Sequence, residues 1–436
     1  MAYQFHKEFS IDLDGDQVLQ RAISFGRHFE NFALFITDEG NFTFYAGTGR
    51  SIKLDETKGA FDKLKKFQES SSREICGVLG YDLKNDLENL STRNPSTLPE
   101  VETAFFEADV RVKFENGEIK LSSVSESDGE SFWANFSQKL GFEHVPITAE
   151  PLSTVSEDEY LKTVQSLQNH IQLGDIYEAN YCVEFSLEAP DFDPYAGFYS
   201  IWKKTRAPFS VFAKLDSLFI LSGSPERYLK REGNRLISQP IKGTAKRSID
   251  PILDEQSKID LRNDQKEQSE NVMIVDLVRN DLTRVASKGS VRVSELFGVQ
   301  TFKTVHHLVS TVEAELDSNR DSWDAIKATF PMGSMTGAPK ISAMKLIDEH
   351  ENFKRGVYSG AFGVIKPNGN FDFNVLIRTL VFESSSRKIT FGVGSAITIM
   401  ADPQKEWNEC MLKADALIKS LRDPDHEPKR EIHSQP

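Results

Sequence analysis

The chain has 436 residues, of which 39% are hydrophobic, and this length suits either one large core or two domains. Its net charge of −14, without a basic segment that carries interleaved aromatic side chains, excludes nucleic acid as an expected partner. No apolar run could span a bilayer, no secretory signal is present, and three cysteines are too few for a disulfide framework or a zinc site, so we expect a cytoplasmic protein with reduced thiols.

The first third of the sequence predicts strands joined by tight turns. An Asn-Gly pair between alternating apolar residues is a strong short-range signal for a hairpin. Residues 77–82 predict a further strand that leads into a loop. The predicted hairpins are residues 33–36 with 42–45, around Glu39-Gly40-Asn41, and residues 110–114 with 119–124, around Asn116-Gly117.

A polar, proline-containing stretch at residues 142–155 is the predicted domain boundary. We therefore predict a first domain over residues 1–145 and a second domain over residues 156–420. The polar and charged residues 421–436 predict a disordered tail.

The second domain begins with a helix signal, because Ser156 can cap a helix, Glu159 completes a capping box, and Gly174 ends it. The later predicted elements are a strand over 176–187, a helical stretch over 254–282, a helix from Pro339 to about Glu349, strands over 360–365, 375–383 and 388–393, and a last helix over 404–421. Hairpins with helices in separate blocks predict an α+β fold.

Residues 224–241 predict two strands around a turn at Glu232-Gly233-Asn234-Arg235, and the second strand is expected to end at Gly243. This leaves the amine of Lys242 at a strand end, where a solvated surface charge is the simplest interpretation. Glu226 lies at the other end of the hairpin. A three-residue turn places Glu226 and Lys242 on one face, whereas a two-residue turn places them on opposite faces unless a bulge intervenes.

Two pairs of glutamates are spaced three apart on predicted helices, Glu267 with Glu270 and Glu406 with Glu409. Each pair alone is most often a solvated helix face. If the two helices meet, four carboxylates imply a hard divalent cation. Because Mg²⁺ prefers few direct carboxylates together with waters and substrate oxygens, we expect only some of the four to contact metal.

Several further residues could bind an anion. The glycines of residues 392–394 are predicted to end a strand, where backbone N–H groups can approach a ligand closely. Residues 333–340 open a helix whose N-terminus suits a carboxylate, although they lack the spacing of a phosphate loop. Arg378 could bind a carboxylate or form a structural ion pair. Strand alternation turns only one of His306 and His307 toward a site.

Together these segments resemble the chorismate-utilising enzymes, the family of anthranilate synthase component I and aminodeoxychorismate synthase component I. The resemblance covers about residues 156–417 and extends more loosely to the first domain, mainly at Gly80-Tyr81-Asp82. It implies a large α/β sandwich with mostly antiparallel sheets in the core and helices outside. The segments that carry it are Ser224-Pro225-Glu226, Pro240-Ile241-Lys242-Gly243-Thr244, residues 270–281 (ENVMIVDLVRND), residues 306–310 (HHLVS), residues 336–340 (TGAPK) and the glycines at 392 and 394.

The resemblance assigns roles to the matching positions. Lys242 would attack chorismate, Glu226 would protonate the departing hydroxyl group, and His307 would lie near the reacting ring. The substrate pocket would be lined by Gly243, Thr244, Ser334, Tyr358, Arg378, Gly392 and Gly394. Mg²⁺ would be held by Glu267, Glu270, Glu406 and Glu409, and would bind the ring carboxylate.

Lys242 separates two branches of this family. Anthranilate-forming members resemble Pro-Ile-Ala-Gly-Thr at residues 240–244, whereas many aminodeoxychorismate synthases have lysine. The resemblance therefore implies covalent catalysis that uses ammonia to make 4-amino-4-deoxychorismate, on the route to 4-aminobenzoate and folate. The ammonia would come from a glutamine amidotransferase subunit or from solution, because no cysteine has the setting of a glutaminase nucleophile.

Glu178 departs from the family pattern, since ammonia-using members usually have glutamine at this position. Isochorismate and salicylate synthases have a lysine there that activates water, and its absence argues against those reactions. Anthranilate synthase component I stays as the nearest alternative, and a non-catalytic chorismate-binding subunit is the alternative of another class. The metal and the four carboxylates act oppositely on the pKa of Lys242, so the sequence leaves the sign of its shift open.

Overall fold

The computed structural model describes residues 2–10, 13–37, 41–136, 146–303 and 305–422. The strands are β1 (Phe5–Ser10), β2 (Asn31–Ile36), β3 (Phe42–Gly47), β4 (Ser51–Leu54), β5 (Ile75–Leu79), β6 (Thr103–Glu107), β7 (Val110–Glu115), β8 (Glu118–Ser123), β9 (Leu152–Ser153), β10 (Glu178–Glu188), β11 (Phe209–Leu215), β12 (Leu218–Ser224), β13 (Arg227–Glu232), β14 (Arg235–Gln239), β15 (Ile241–Lys246), β16 (Arg292–Thr301), β17 (Val305–Glu315), β18 (Gly337–Ala338), β19 (Ala361–Ile365), β20 (Phe371–Val375), β21 (Thr379–Glu383) and β22 (Lys388–Ile397).

The helices are α1 (Gly15–Phe25), α2 (Ala60–Glu69), α3 (Lys84–Leu87), α4 (Glu126–Phe136), α5 (Glu157–Leu173), α6 (Pro194–Thr205), α7 (Pro251–Asn263), α8 (Gln265–Thr283), α9 (Ser322–Thr329), α10 (Lys340–His350) and α11 (Pro403–Arg422). The strands form two large antiparallel sheets. The order of the first is β1-β8-β7-β3-β2-β11-β12-β21-β22-β10-β18, with β9 beside β10. The order of the second is β15-β17-β14-β13-β20-β19-β5-β6-β4, with β16 beside β17.

Apolar side chains hold the layers together. One buried cluster lies between the two sheets and includes Val211 and Ile220 from the first sheet and Val78 and Phe362 from the second. Two larger clusters lie between each sheet and the helices that cover it. Burial of apolar surface on both faces of each sheet therefore produces the order helices, sheet, sheet, helices. This architecture confirms the predicted α+β sandwich.

Strands from the first 145 residues extend both sheets. β2 pairs with β11 in the first sheet, and β5 pairs with β19 in the second. The two predicted domains thus contribute strands to the same sheets, and the boundary between them stays a prediction. The predicted turn residues Glu39 and Gly40, residues 142–145 of the predicted boundary and the predicted tail beyond Arg422 lie outside the described residues.

The structure confirms a helix start, a helix end and a hairpin turn that were predicted from capping and turn residues. Ser156 accepts a hydrogen bond from the backbone N–H of Glu159, whose side chain caps in return, and Gly174 ends the helix with a φ of 87°. Asn116 and Gly117 turn the β7–β8 hairpin with φ values of 53° and 82°. Short-range chemistry is sufficient to specify these features.

Two predicted elements are interrupted. The helical stretch over 254–282 is two helices, because Asp264 ends α7 and its side chain accepts the N–H of Glu267 to begin α8. The predicted strand over 375–383 is also wrong as one element. β20 ends at Val375 and β21 begins at Thr379, and Arg378 between them has a left-handed backbone with φ of 51°.

The structure shows the state of the three cysteines and the apolar character of the helices. Cys76, Cys182 and Cys410 are free and buried, as the low cysteine count predicts. Throughout the described ranges, no helix combines the length and apolar character that a membrane crossing requires.

Candidate active site

A bulge in the β13–β14 hairpin sets the register of the candidate site. The two strands are joined by a two-residue turn, which alone would put Glu226 and Lys242 on opposite faces of the sheet. The bulge lies between Arg227 and Lys230 and adds one residue to β13, so that Arg227 faces Gln239. The shifted register brings Glu226 and Lys242 to the same face, which is the condition that concerted chemistry requires.

A second bulge corrects the predicted end of this strand. β15 continues past Lys242 to Lys246, so Gly243 does not end it. Instead, Gly243 is the bulged residue, with φ of 80°, between the pairs Lys242–Leu308 and Thr244–His307. A Cβ atom there would lie 3.0 Å from Glu267 Oε2, so glycine allows β15 to approach α8 closely.

Glu226 is a buried carboxyl group with 4% of its surface exposed. Its Oε1 accepts a hydrogen bond from Ser334 Oγ at 2.7 Å, and the backbone N–H of Ile241 also donates to the carboxyl group. Burial raises the pKa of Glu226 to about 7, against the opposing effects of Ser334, Lys242 and Arg378. A carboxyl group with this pKa can act as a general acid near neutral pH.

Ser334→Ala is expected to raise the pKa of Glu226 further, because the Ser334 hydroxyl favours the ionised carboxylate. The alkaline limb of the pH–rate profile, which reports loss of the Glu226 proton, should move to higher pH. Profiles of kcat/KM for wild type and variant measure this shift. An unchanged limb would contradict the assignment of the limb to Glu226.

Lys242 forms an ion pair with Glu178, the residue that departs from the family pattern. Lys242 Nζ donates to Glu178 Oε1 at 2.9 Å and lies 3.9 Å from Glu270 Oε2. The Lys242 side chain is 11% exposed and that of Glu178 is 1% exposed. Lys242 is therefore not the solvated surface charge that its position near a strand end would first suggest.

The protein groups around Lys242 raise its pKa. Burial lowers the pKa of Lys242, but Glu178, Glu270 and Glu226 raise it, and the result is a pKa above the usual value. Without further positive charge in the site, Lys242 is an ammonium ion at neutral pH. A nucleophilic role requires that it lose this proton.

The two adjacent histidines point to different partners, as strand alternation predicts. His306 contacts Asp254 and Thr301 and is structural. His307 contacts Thr244 Oγ1 at 2.9 Å through Nδ1, and its buried Nε2 has no hydrogen-bond partner among the described residues. Burial lowers the pKa of His307 to about 3, so the imidazole is neutral.

Arg378 is a buried cation whose charge acts on Glu226 and His307. Its guanidinium group forms no ion pair or hydrogen bond within the described part of the chain, although its charge lowers the pKa values of both Glu226 and His307. The sequence left open whether Arg378 forms a structural ion pair, and no such pair is found in the described ranges. A guanidinium group near a buried acid, and not neutralised by it, is suited to bind a substrate carboxylate.

The glycines of residues 392–394 do not end a strand, which corrects the prediction. They lie inside β22, where Gly392 faces Glu184 and Gly394 faces Cys182 of β10. A Cβ atom on Gly392 would lie 2.3 Å from Tyr358 Cδ1, and one on Gly394 would lie 2.6 Å from Cys182 Sγ. These glycines provide room for neighbouring side chains, whereas their contact with a substrate stays a prediction.

The predicted metal residues lie on α8 and α11 around one lysine. Lys266 Nζ is 3.7 Å from Glu270 Oε1 and 3.5 Å from Glu406 Oε1. Burial raises the pKa of Glu267, and it raises that of Glu270 to about 7. Glu409 is partly exposed and pairs with Lys413 at 2.7 Å. The two helices therefore meet, as a shared cation site requires.

The donor chemistry of these four residues fits Mg²⁺, since carboxylate oxygens are hard ligands. Among the described residues, however, no three acidic, histidine or cysteine side chains stand close enough together to hold a metal ion. The ammonium group of Lys266 instead balances Glu270 and Glu406. The four carboxylates lie near Lys266 on two facing helices, and Mg²⁺ at this place stays a proposal.

Two cationic residues that stabilise the site were not predicted from the sequence. Lys266 is four residues before Glu270 on one helix face, so the i, i+4 spacing was the available signal. Arg355 is buried and pairs with Glu351, again four residues away. Its guanidinium donates to the backbone carbonyls of Asn180 and Met335 at 2.7 Å each, which fixes the strand of Glu178 against the segment of Ser334.

The helix that residues 333–340 were predicted to open is α10, which begins at Lys340. Lys340 at its first turn binds Asp281 and the backbone carbonyls of Thr329 and Pro331, so its charge is used within the protein. Ser334 lies in a short 3₁₀ helix before β18 and directs its hydroxyl group at Glu226. The segment therefore positions the candidate acid through Ser334.

Comparisons with known proteins agree with this geometry. A family model described as chorismate binding enzyme matches residues 23–419. Aminodeoxychorismate synthase component 1 of Escherichia coli is 34% identical over 347 residues, which are 79% of this chain and 76% of that protein. Anthranilate synthase component 1 of Thermus thermophilus is 33% identical over 361 residues, which are 80% of this chain and 77% of that protein.

Solved structures share the fold. The menaquinone-specific isochorismate synthase of Escherichia coli superposes with a TM-score of 0.74 at 18% identity, over 97% of this chain and 96% of that one. Anthranilate synthase component I from Streptococcus pneumoniae superposes with a TM-score of 0.73 at 23% identity, over 95% of this chain and 92% of that one. With a family model that covers most of its length and relatives that align over most of both chains, this protein belongs to the chorismate binding enzyme family.

Proposed function

We propose that the protein is the aminating component of an aminodeoxychorismate synthase, which converts chorismate and ammonia to 4-amino-4-deoxychorismate for 4-aminobenzoate and folate synthesis. The observation that carries the proposal is the juxtaposition of two groups. Lys242 lies in the same site as Glu226, whose pKa is raised to about 7 by burial. A nucleophilic amine and a protonated acid are the two groups that amine-for-hydroxyl exchange requires.

The first step forms a covalent intermediate. Lys242 first loses its ammonium proton to solvent. The free amine then forms a bond to C2 of chorismate, the ring double bonds shift, and the bond from C4 to its hydroxyl oxygen breaks. Glu226 gives its proton to that oxygen, which leaves as water. Arg378 supports this step as a binding residue for a substrate carboxylate, since its guanidinium group forms no ion pair among the described residues.

The second step releases the lysine. Ammonia forms a bond to C4, the double bonds shift back, and the bond from C2 to Lys242 Nζ breaks with its electron pair going to the amine. The new ammonium group on C4 releases one proton to solvent and Glu226 takes one back, so the sum is chorismate plus ammonia giving aminodeoxychorismate plus water. We propose that His307 and Gly243 line the pocket near this reaction. His307 stays neutral because its pKa is lowered to about 3, and Gly243 forms the bulge in β15.

Mg²⁺ would be held by residues from the set Glu267, Glu270, Glu406 and Glu409. When bound, it would supply positive charge that holds and polarises the ring carboxylate of chorismate. Lys266 lies close to Glu270 and Glu406, and its ammonium group is the cation that Mg²⁺ would replace beside these carboxylates.

The ammonia source is proposed to be a separate glutamine amidotransferase subunit. Burial raises the pKa of each of the three thiols, and that of Cys182 to about 12. Such thiols do not form the thiolate that a glutaminase nucleophile needs. The name of the Escherichia coli relative as component 1 agrees with a two-subunit arrangement.

A product assay tests this proposal. Incubation with chorismate, Mg²⁺ and an ammonium salt is expected to give 4-amino-4-deoxychorismate by mass analysis, with no anthranilate and no isochorismate, and chelation of the metal should abolish turnover. Anthranilate with pyruvate would assign the protein to the branch of the Thermus thermophilus relative instead. Binding of chorismate without turnover would support the non-catalytic alternative.

A further inference from the structure

Glu178 has an unused hydrogen-bond acceptor in the candidate site. Its side chain is 1% exposed, and Oε1 accepts from Lys242. The second oxygen, Oε2, is buried and has no hydrogen-bond partner among the described residues. A buried carboxylate oxygen without a donor costs free energy, so this arrangement calls for a ligand that donates a hydrogen bond there.

Few charged groups act on Glu178 within the described residues. Lys242 on β15 and Glu270 on α8 are the charged groups that act on it within the described residues, and Glu226 acts on the same lysine. From α10, Lys340 is already bound to Asp281. One ammonium group thus faces two acidic side chains. Glu270 has Lys266 as a further partner, whereas Glu178 has no further cation partner in the part of the chain that the structure describes.

The backbone holds Glu178 in this position. It begins β10 and pairs with Ala338 of β18, and Arg355 holds the carbonyl of Asn180 two residues later. A Cβ atom on Gly337 would lie 2.1 Å from the Glu178 carbonyl oxygen, so the two strands are in close contact. A side chain fixed in this way presents Oε2 in one place, which favours a small ligand of defined geometry.

We propose that Glu178 is the ammonium-binding residue of the site: Oε2 accepts a hydrogen bond from an incoming ammonium ion while Oε1 remains on Lys242. This inference rests on the proposed function. Ammonium has positive charge and N–H donors in every direction, so it can satisfy the carboxylate with a charge-assisted hydrogen bond. Glutamine at this position would have no charge with which to attract it.

The proton balance of the second step follows from this position. Bound ammonium gives one proton to Glu178 Oε2, and the nitrogen lone pair that this frees forms the bond to C4. The bond from C2 to Lys242 Nζ breaks, and its electron pair goes to the amine. Glu178 later releases this proton to solvent. Glu226 takes a proton from solvent, which replaces the one that it gave to the departing water. The sum is chorismate plus ammonium giving protonated aminodeoxychorismate plus water.

The test is Glu178→Gln, measured as KM for total ammonia at several pH values with chorismate saturating. Ammonium is the main form near neutral pH, so the wild-type KM should change little between about pH 7 and 8.5. The variant should depend on free ammonia, with KM raised about tenfold or more at pH 7 and falling about tenfold for each pH unit. Glu184→Gln, another buried glutamate of β10, is the matched control and should behave as wild type.

A second measurement separates the ammonium role from an effect on Lys242. Without ammonia, the covalent adduct of chorismate with Lys242, detected by mass spectrometry, should form in Glu178→Gln at least as fast as in wild type, because Glu178 raises the pKa of Lys242. Loss of the adduct would overturn the inference, because Glu178 would then act on the lysine. A wild-type KM and pH slope in the variant would also overturn it. Failure of the proposed function is distinguishable, since the wild-type protein itself would then make no aminodeoxychorismate.

Discussion

Lys242→Ala is expected to reduce aminodeoxychorismate formation on the order of a thousandfold or more, because the variant has no amine that can form the bond to C2. The lysine lies 2.9 Å from Glu178 and 3.9 Å from Glu270, so its removal also leaves two acidic groups without their shared counter-charge. Steady-state turnover with ammonium salts and intact-protein mass spectrometry after mixing with chorismate measure the effect. Wild type should form an adduct that the variant cannot form.

Lys246→Ala is the matched control for this substitution. Lys246 lies on the same strand, four residues later, and is exposed. Its replacement should leave both turnover and the chorismate adduct at wild-type levels. Full activity of Lys242→Ala, or an adduct on a residue other than Lys242, would exclude the covalent route. Thermal unfolding of each variant separates lost chemistry from lost folding.

Glu226→Gln is expected to lower kcat by about 10²–10⁴-fold, the usual contribution of a general acid. Glutamine has the same shape and can still accept the hydrogen bond from Ser334, so chorismate binding should be largely kept. Glu232→Gln, an exposed glutamate of β13, is the control and should have wild-type activity. A glutamine variant with wild-type kcat would remove Glu226 from the proposed mechanism.

The pH dependence gives an independent test of the same residue. Burial raises the pKa of Glu226 to about 7, so the carboxyl group is protonated below this pH and loses its proton above it. Because the acid must hold a proton to donate it, wild-type kcat/KM should have a limb that falls as pH rises through about 7. The limb should be absent in Glu226→Gln. A limb that persists in the variant would have to come from another group.

The acid and the nucleophile depend on each other electrostatically. Lys242 lowers the pKa of Glu226, and Glu226 raises the pKa of Lys242. The reactive arrangement requires a proton on Glu226 and none on Lys242, which is the reverse of the arrangement that their mutual attraction favours. Positive charge from Mg²⁺ and from bound ammonium would act against this attraction, which gives both proposed cations a physical role in preparing the site.

The sequence by itself determined the features whose causes lie within a few residues. The capping box at Ser156, the left-handed end at Gly174 and the Asn116-Gly117 turn follow from local hydrogen bonds and backbone preferences. The motif segments identified the family, and the α+β class followed from hairpins with helices in separate blocks. Lys242 and Glu226 could be selected because their residue types stand in a specific motif.

Only the tertiary structure decided the features that need distant segments to meet. The hairpin register depended on a bulge in β13, which residue type alone does not specify. The contact of Lys242 with Glu178 joins residues 64 positions apart, and Lys266 joins Glu406 across 140 positions. Such pairs form because burial of apolar surface between the layers brings the two sheets and their helices together. The sequence therefore specified the groups of the site, whereas packing set their charges and their neighbours.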